Sequence, residues 1–348
     1  STMKESLSKV LRLSKIFTKL AVCCISRARG RDLHSTAAKL LTHILLHDES
    51  CNKAKLYKQV CAAFIDHVGF LERNAINQKE SSTKEILKFF HQDTLLLYQT
   101  TFLYLKKLAN SIRSLLLRAD RSGSIVSWDF LKTLRGVGLI LTSFSNENEL
   151  GSLIYPFTQI CLGALDILNT PECIPLQFKI FDILHGISSC IKSHLPLTPY
   201  FLRVLKYTAF QLPPNNNKKR GLEKENDLTS AISLERSDLR LLAVQKQVVE
   251  RLLYCISQHT SQYAYSIAFP EVFCTLHHNL KAIAKAMPYD GHSIAVKKYL
   301  VAAKATEKII RSRRTGVDFG PEDELKMQMW ETKFREEVKV LPIREYGQ

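Results

Sequence analysis

Glycine, proline and closely paired cysteines are scarce in this chain of 348 residues. Thirteen Gly and eleven Pro disfavour collagen-like, proline-rich and many-turned β architectures. Nine Cys are scattered along the chain without a Cys-x-x-Cys pair, so neither a disulfide framework nor a cysteine-based zinc module is indicated. We expect reduced, mostly buried thiols in a cytosolic or nuclear protein.

Long uncharged runs are also missing. The longest one near the middle extends from Leu150 to Leu165, contains Pro156, and is bounded by Glu149 and Asp166. A bilayer-spanning helix needs about 20 apolar residues. The sequence therefore predicts no membrane-spanning segment and no membrane partner.

The sequence also lacks recognisable motifs for catalysis or metal binding. His43 and His47 share a helix face, and Cys51 lies one turn later, but Ile44 stands where a zinc protease has its glutamate. Neither a Gly-x-Ser-x-Gly nor a Walker-type loop occurs, and Gly136-Val137-Gly138 falls within a helical pattern. We predict that the protein is not an enzyme and has no cofactor, no metal ion and no small-molecule substrate.

Apolar residues recur at helical spacing through nearly the whole chain, and no strand–turn–strand pattern is found. Helices of about 15 to 20 residues joined by short turns favour an all-α fold, specifically an α-solenoid of HEAT or armadillo-like repeats. A compact irregular bundle is the alternative. Residues 82–120 read as one long helix. The predicted division is a helical-repeat part at 1–211, a polar basic loop at 212–237, a second helical-repeat part at 238–314 and a tail with a short helix at 315–348.

Positive charge is concentrated in two segments. Lys and Arg number 49 against 33 Asp and Glu, which gives a net charge of +16, and most of the excess lies in residues 1–31 and 281–314. Concentrated positive charge on helices is suited to contacts with phosphates, although a solvated helix face or an acidic protein partner would fit the same pattern. The candidate RNA-binding residues are Lys281, Lys285, Lys297, Lys298, Lys304, Lys308, Arg311, Arg313, Arg314, Lys218, Lys219 and Arg220.

The basic amino-terminal segment has two interpretations. Residues 1–31 contain a single acid, Glu5, and apolar residues at amphipathic spacing, as mitochondrial transit peptides do. Lys15 and Lys19 interrupt the apolar stretch and argue against a secretory signal. We favour an opening helix with a solvated basic face, and a mitochondrial RNA-binding protein remains an alternative.

Several short motifs occur in an order that resembles the nucleolar complex protein 2 family. The family has a Tyr-Pro-Leu stretch followed by Leu-Gly, Pro-Thr and Phe-Pro-Leu-Arg, an Asn-Trp-Gln-Phe helix start, a Ser-Ile-Ala-Phe-Pro-Glu motif, and a Val-Asp-Phe-Ser-Pro signature with a later Trp-Glu. The matching residues here are Tyr155–Ile160, Leu162–Gly163, Thr170–Pro171, Pro175–Phe178, Ser127–Leu131, Tyr265–Glu271, Val317–Pro321 and Trp330–Glu331. Gln177 stands where the family usually has Arg, and Asp129 where it usually has Gln.

The resemblance implies a non-catalytic scaffold of large (60S) ribosomal subunit assembly, in the nucleolus and nucleoplasm. It also implies pairing with nucleolar complex protein 1 on early precursors and with nucleolar complex protein 3 later, association with pre-60S assembly factors, and contact with pre-ribosomal RNA. A nuclear transport receptor or adaptor of the helical-repeat class is the alternative. It would be favoured by acidic inner faces for basic cargo, whereas this chain is basic.

The motif residues themselves have two possible roles. Pro156, Pro171, Pro175 and Pro270 are expected to begin helices, where a missing N–H costs little, so their motifs would mark the fold more than a contact site. The candidate partner-binding residues are Asp318, Phe319, Pro321 and Trp330, which combine aromatic anchors with charged neighbours. Docking of this tail onto the last helix pair is the equally favoured alternative.

Overall fold

The computed structural model describes residues 2–27, 30–47, 52–73, 79–117, 125–191, 194–214 and 228–346. These residues are mainly helical and contain no β-strand, which confirms the all-α prediction. The helices, in chain order, are α1 (Thr2–Arg27), α2 (Arg31–His47), α3 (Lys53–Arg73), α4 (Lys79–Phe90), α5 (Thr94–Leu117), α6 (Trp128–Ser143), α7 (Asn148–Gly151), α8 (Ile154–Ile167), α9 (Ile174–Cys190), α10 (Thr198–Leu205), α11 (Thr208–Gln211), α12 (Leu242–Gln262), α13 (Phe269–Ala286), α14 (Asp290–Arg314), α15 (Glu324–Glu337) and α16 (Pro342–Tyr346).

The chain forms two compact units, Ser1–Ile167 with helices α1 to α8 and Leu168–Gln348 with helices α9 to α16. Each unit has its own buried apolar core. The division of the sequence at 211, 237 and 314 stays a prediction, as does the HEAT or armadillo-like arrangement of the helices.

The long helix predicted over residues 82–120 is wrong, because two helices occupy this region. α4 ends at Phe90 and α5 begins at Thr94. Between them, the Asp93 carboxylate accepts a hydrogen bond of 2.9 Å from the backbone N–H of Leu96. An aspartate at this position satisfies an N–H that has no partner within the helix and so favours a new helix start.

Aromatic side chains of α3 and α4 fill part of the core of the first unit. Tyr57 and Phe64 of α3 are fully buried, as are Phe89 and Phe90 of α4. Their ring centroids lie 5.1 Å apart for Tyr57 and Phe89 and 5.9 Å apart, edge to face, for Phe64 and Phe90. Such rings supply a large apolar area and prefer these tilted geometries.

Two glycines allow α3 and α6 to approach each other closely. A Cβ atom on Gly136 of α6 would lie 2.7 Å from Cγ1 of Ile65, and one on Gly69 of α3 would lie 2.7 Å from Cβ of Lys132. Both distances are below van der Waals contact. The packing therefore requires glycine, which has no Cβ atom, at both positions. Gly136 therefore serves helix packing, which explains a Gly-x-Gly sequence outside any phosphate-binding loop.

The stretch Glu149–Ile167 is long and apolar enough, by length and composition alone, to cross a membrane. In the fold it is broken between Gly151 and Ile154, and α8 has 14 residues, or about 21 Å at 1.5 Å per residue. A bilayer core is about 30 Å thick. Phe157, Cys161 and Leu165 of α8 are fully buried inside the first unit, as expected for a core helix of a folded domain. The prediction that no segment spans a membrane stays a prediction.

The core of the second unit is built around α12, which packs against α9, α10, α14 and α16. Part of the tail belongs to this core, since Leu341 and Ile343 are fully buried. The backbone N–H of Ile343 donates a hydrogen bond of 3.1 Å to the Thr306 hydroxyl of α14. Residues 341–346 therefore contribute to the core of the second unit.

Motif residues begin helices, as predicted. The Ser127 hydroxyl accepts a hydrogen bond from the backbone N–H of Phe130 and caps α6. Pro175 and Pro270 occupy the first turns of α9 and α13, and Pro171 begins a short 3-10 turn. Proline suits these positions because its fixed φ matches the helix and no N–H is lost from the ladder.

Gln177, one of the two residues that depart from the family motifs, is fully buried in the second unit. Its Nε2 donates hydrogen bonds to the backbone carbonyl of Leu168 at 2.6 Å and to the Tyr207 hydroxyl at 3.1 Å. A buried amide needs such partners. Gln177 therefore holds the turn before α9, in a role that needs no positive charge.

Candidate nucleic-acid interface

The candidate RNA-binding residues of 281–314 lie on two helices packed side by side. Lys281 and Lys285 are exposed on α13, one turn apart. The remaining seven are on α14, and α13 and α14 form an extensive contact. The second cluster of positive charge in the sequence is therefore also a cluster in space.

Three of the cations are already paired with acidic residues of the same unit. The Arg311 guanidinium lies 2.7 Å from Glu307, one turn away on α14. Arg314 contacts both carboxylate oxygens of Glu271 on α13, at 2.7 and 3.0 Å. Arg313 pairs with Glu337 at the end of α15. These arginines are less available to phosphates than the sequence suggests.

The lysines of this surface differ from the three arginines in their ion pairs. Lys297, Lys304 and Lys308 are spaced by seven and then four residues, which places them on one stripe of α14, and all three are exposed. Among the described residues, neither these three nor Lys281 and Lys285 form an ion pair. We call these five residues the lysine face: Lys281, Lys285, Lys297, Lys304 and Lys308.

The pKa of His277 is affected by charges from both α13 and α14. Burial lowers the pKa of this α13 imidazole, and the ammonium groups of Lys304 and Lys281 lower it further, while Glu307 acts in the opposite direction. Lysines from α13 and α14 thus act on the same side chain. Sequence reasoning missed His277 and its neighbour His278 as members of this surface, although their position one turn before Lys281 was a usable signal.

Lys298 lies on another side of α14. It lines a shallow groove with Glu250 and Tyr254 of α12 and with Tyr346 of the tail. The helical rotation of about 100° per residue separates it from Lys297. The predicted residues Lys218, Lys219 and Arg220 lie outside the described residues.

The lysine face offers positive charge without base stacking. The nearby rings of Phe273 on α13 and Tyr299 on α14 are fully buried, so bases cannot stack on them. Recognition of single-stranded RNA normally uses exposed aromatic side chains, whereas contacts to phosphates need only Lys or Arg. The chemistry of this surface therefore suits contact with the RNA backbone.

The predicted partner-binding residues differ in their exposure. Asp318 and Pro321 are exposed, whereas Phe319 and Trp330 are half-buried. The Trp330 ring stacks on Phe334 with centroids 5.0 Å apart, and the buried Phe334 meets Tyr265 edge to face at 5.8 Å. Trp330 thus takes part in docking α15 onto the second unit.

Glu331 joins two of the motifs that carry the family resemblance. Its Oε1 accepts hydrogen bonds from the Ser266 hydroxyl at 2.8 Å and from the backbone N–H of Ile267 at 3.1 Å. The neighbouring Tyr265 hydroxyl donates to the carbonyl of Lys339 at 2.8 Å. This clamp between residues 65 positions apart was not predicted, because the sequence gives no sign of which polar residue meets which.

His43 and His47, the pair considered for metal binding in the sequence, lie close together. The rings of His43 and His47 lie 4.5 Å apart on α2, and Cys51 lies outside the described residues. Within the part of the chain that the structure describes, no group of three or more His, Cys, Asp or Glu side chains is arranged to hold a metal ion.

Fold and surface together define an all-helical protein with a cluster of exposed lysines on α13 and α14. The profile of the Noc2p family matches residues 52–348, which is most of the chain. The chain therefore belongs to the Noc2p family, in agreement with the motifs described above.

Individual relatives have low but extended similarity. The chain is 22% identical over 94% of its length to "Nucleolar complex protein 2" of Drosophila melanogaster, covering 40% of that protein. It is 19% identical over 77% of its length to "Nucleolar complex-associated protein 2" of Arabidopsis thaliana, covering 35% of it. It is 21% identical over 89% of its length to "Nucleolar complex protein 2 homolog" of Caenorhabditis elegans, covering 44% of it. The chain thus spans less than half the length of these relatives.

Proposed function

We propose that the protein is a non-catalytic scaffold for assembly of the large (60S) ribosomal subunit in the nucleolus and nucleoplasm. It pairs with nucleolar complex protein 1 or nucleolar complex protein 3 and contacts pre-ribosomal RNA in pre-60S particles. Membership of the Noc2p family and the names of the relatives, which refer to a nucleolar complex, support this class of function.

The lysine face is the observation that carries the RNA-binding part of the proposal. Five exposed ammonium groups from α13 and α14, free of internal ion pairs in the described residues, can each neutralise a phosphate and release a counterion. Lys281 and Lys304 already influence the same imidazole. The RNA is bound through its backbone, and its sequence is read little or not at all.

The tail supplies the surface for the protein partner. Asp318 and Pro321 are exposed at its start, and Leu325 and Met329, one turn apart on α15, are 74% and 72% exposed. Docking of Trp330 and Phe334 fixes α15 in place. An apolar pair with a charged rim on a rigid helix is a suitable protein contact.

The RNA-binding proposal is tested with Lys281→Glu/Lys304→Glu/Lys308→Glu. Three lost phosphate contacts should weaken binding to a large-subunit precursor RNA and flatten the slope of log affinity against log salt by about 2 to 3 units. Fluorescence anisotropy with labelled RNA at several salt concentrations gives both quantities.

The matched control is Lys246→Glu/Lys333→Glu/Lys339→Glu, which makes the same change in charge at exposed positions outside the lysine face. We expect a smaller loss of affinity and a nearly unchanged slope. Equal effects from the two triple variants would show that only net charge matters and would refute an RNA site on this face.

A further inference from the structure

Helix α5 of the first unit exposes apolar side chains at a seven-residue interval. Leu95, Phe102, Ala109 and Leu116 are all exposed, with exposed fractions of 53%, 49% and 71% for the three large residues Leu95, Phe102 and Leu116. Residues seven apart lie within about 20° of each other on a helix. They form a stripe along nearly the full 24 residues of α5, which we call the α5 stripe.

The opposite side of α5 already serves the core. Leu97, Leu105, Leu108 and Leu115 are buried, and α5 packs against α3, α6, α7 and α8. A surface helix in a globular protein normally has one apolar face and one polar face. α5 has a second apolar face that the first unit does not cover.

The residues beside the α5 stripe are basic. Lys106 follows Phe102 by four positions, Arg113 follows Ala109 by four, and both are exposed. Within α5 there is no Asp or Glu. In paired helices, charges that flank the apolar stripe select partners of opposite charge.

We propose that the α5 stripe binds an amphipathic helix of another protein, with apolar residues at the same seven-residue spacing and acidic residues beside them. Phe102 is the central anchor. Its ring stacks on that of Tyr98 with centroids 6.4 Å apart, so it is already held in place before binding. Preorganised aromatic side chains are typical of residues that dominate binding energy.

A second copy of this chain fits the surface poorly. Two α5 helices in parallel would place Lys106 beside Lys106 and Arg113 beside Arg113. An antiparallel pair that matches Leu95 with Leu116 would place Lys106 near its own copy at the centre. Like charges at these positions destabilise pairing, so an acidic partner is favoured over self-association.

The test places the photoreactive residue benzoylphenylalanine at position 102 of the full chain, in whole-cell extract, and maps the crosslinked peptide by mass spectrometry. We expect a segment with apolar residues seven apart and flanking Asp or Glu. The same residue at Tyr254, an exposed aromatic of the second unit, gives the background.

Reversal of the charges beside the α5 stripe then distinguishes crosslinks from specific docking and crosslinks from chance proximity. Lys106→Glu/Arg113→Glu should lower the crosslinking yield about tenfold, and exchange of the mapped acidic residues for Lys should restore it. Circular dichroism of each variant checks that the fold is retained, as expected for exposed positions. A yield no higher than at position 254, or crosslinks to a second copy, to RNA or to a segment without acidic residues, would overturn the proposal. Loss of RNA binding through the lysine face would leave it standing.

Discussion

The close packing of α3 and α6 makes an unusual prediction about glycine substitutions, because two helical glycines of the same unit should respond with opposite sign. At Gly136 an added methyl group would lie 2.7 Å from Cγ1 and 3.4 Å from Cα of Ile65. At Gly163 of α8, the position that a Cβ would take is open, with no atom beyond the adjoining residues and backbone of its own helix within 4 Å. Both glycines are inside helices, so the intrinsic benefit of alanine is the same at both.

The magnitudes follow from this geometry. Alanine in place of glycine within a helix stabilises by about 1 kcal/mol, whereas overpacking a close contact costs about 1 to 3 kcal/mol. The backbone of Ile65 near Gly136 cannot move away as a flexible side chain would. A contact of 2.7 Å belongs to the upper part of that cost, about 2 to 3 kcal/mol, so Gly136→Ala should lower the free energy of unfolding by about 1 to 2 kcal/mol net of the gain. Gly163→Ala should raise it by about 0.5 to 1 kcal/mol.

Urea denaturation of each variant, followed by far-ultraviolet circular dichroism, measures both changes. The double variant Gly136→Ala/Ile65→Ala removes the atom that causes the clash, and it should be more stable than the sum of the two single variants indicates. If Gly136→Ala is as stable as the unmodified chain, the close approach of α3 and α6 is not as described and the reasoning fails.

Two further predictions concern the second unit. Burial lowers the pKa of His259 to about 3 and of His185 to about 4, so both stay neutral in the fold while the unfolded chain takes up protons below pH 6.5. Stability should fall as the pH drops from 6.5 towards 4, by about 2 kcal/mol for each histidine at pH 5. The urea midpoint of His259→Phe should depend less on pH than that of the unmodified chain, while the exposed control His278→Gln should keep the full dependence. Parallel pH profiles for the unmodified chain and both variants would contradict this assignment to His259. Glu331→Ala removes the acceptor shared by Ser266 and Ile267 and should cost about 1 to 3 kcal/mol, seen as faster amide exchange in α15. Glu336→Ala, at an exposed position of the same helix, should leave exchange unchanged, and equal exchange in both variants would refute the clamp.

The sequence allowed the helical class to be predicted because apolar periodicity is a property of each segment by itself. It failed at residues 91–93, where apolar residues continue at helical spacing from Phe90 to Leu97 across a real break. A turn at His91–Gln92 and the capping hydrogen bond of Asp93 separate the two helices. Local hydrogen bonds of this kind compete with helix continuation and leave little trace in the apolar pattern.

The candidate site shows a similar limit. The high density of Lys and Arg in the sequence indicated a basic surface on α13 and α14. It could not distinguish cations that form ion pairs within the protein from cations that form none. Arg314 meets Glu271 from 43 positions away, and Arg313 meets Glu337 from 24 positions away. Such pairs depend on how α13, α14 and α15 pack against one another, and this packing cannot be inferred from the sequence alone.

The position of the family motifs bears on where function should be sought. Ser127 caps a helix, Pro175 and Pro270 begin helices, and Glu331 fastens α15 to the loop before α13. Each of these residues stabilises the fold, so a match to the motifs identifies the architecture more directly than a binding site. The lysine face and the α5 stripe lie mostly outside the motifs and are built from exposed residues that the fold does not require. Substitutions there should therefore change binding while leaving stability within about 0.5 kcal/mol, whereas substitutions of Ser127, Pro175, Pro270 or Glu331 should reduce binding only through loss of the folded state.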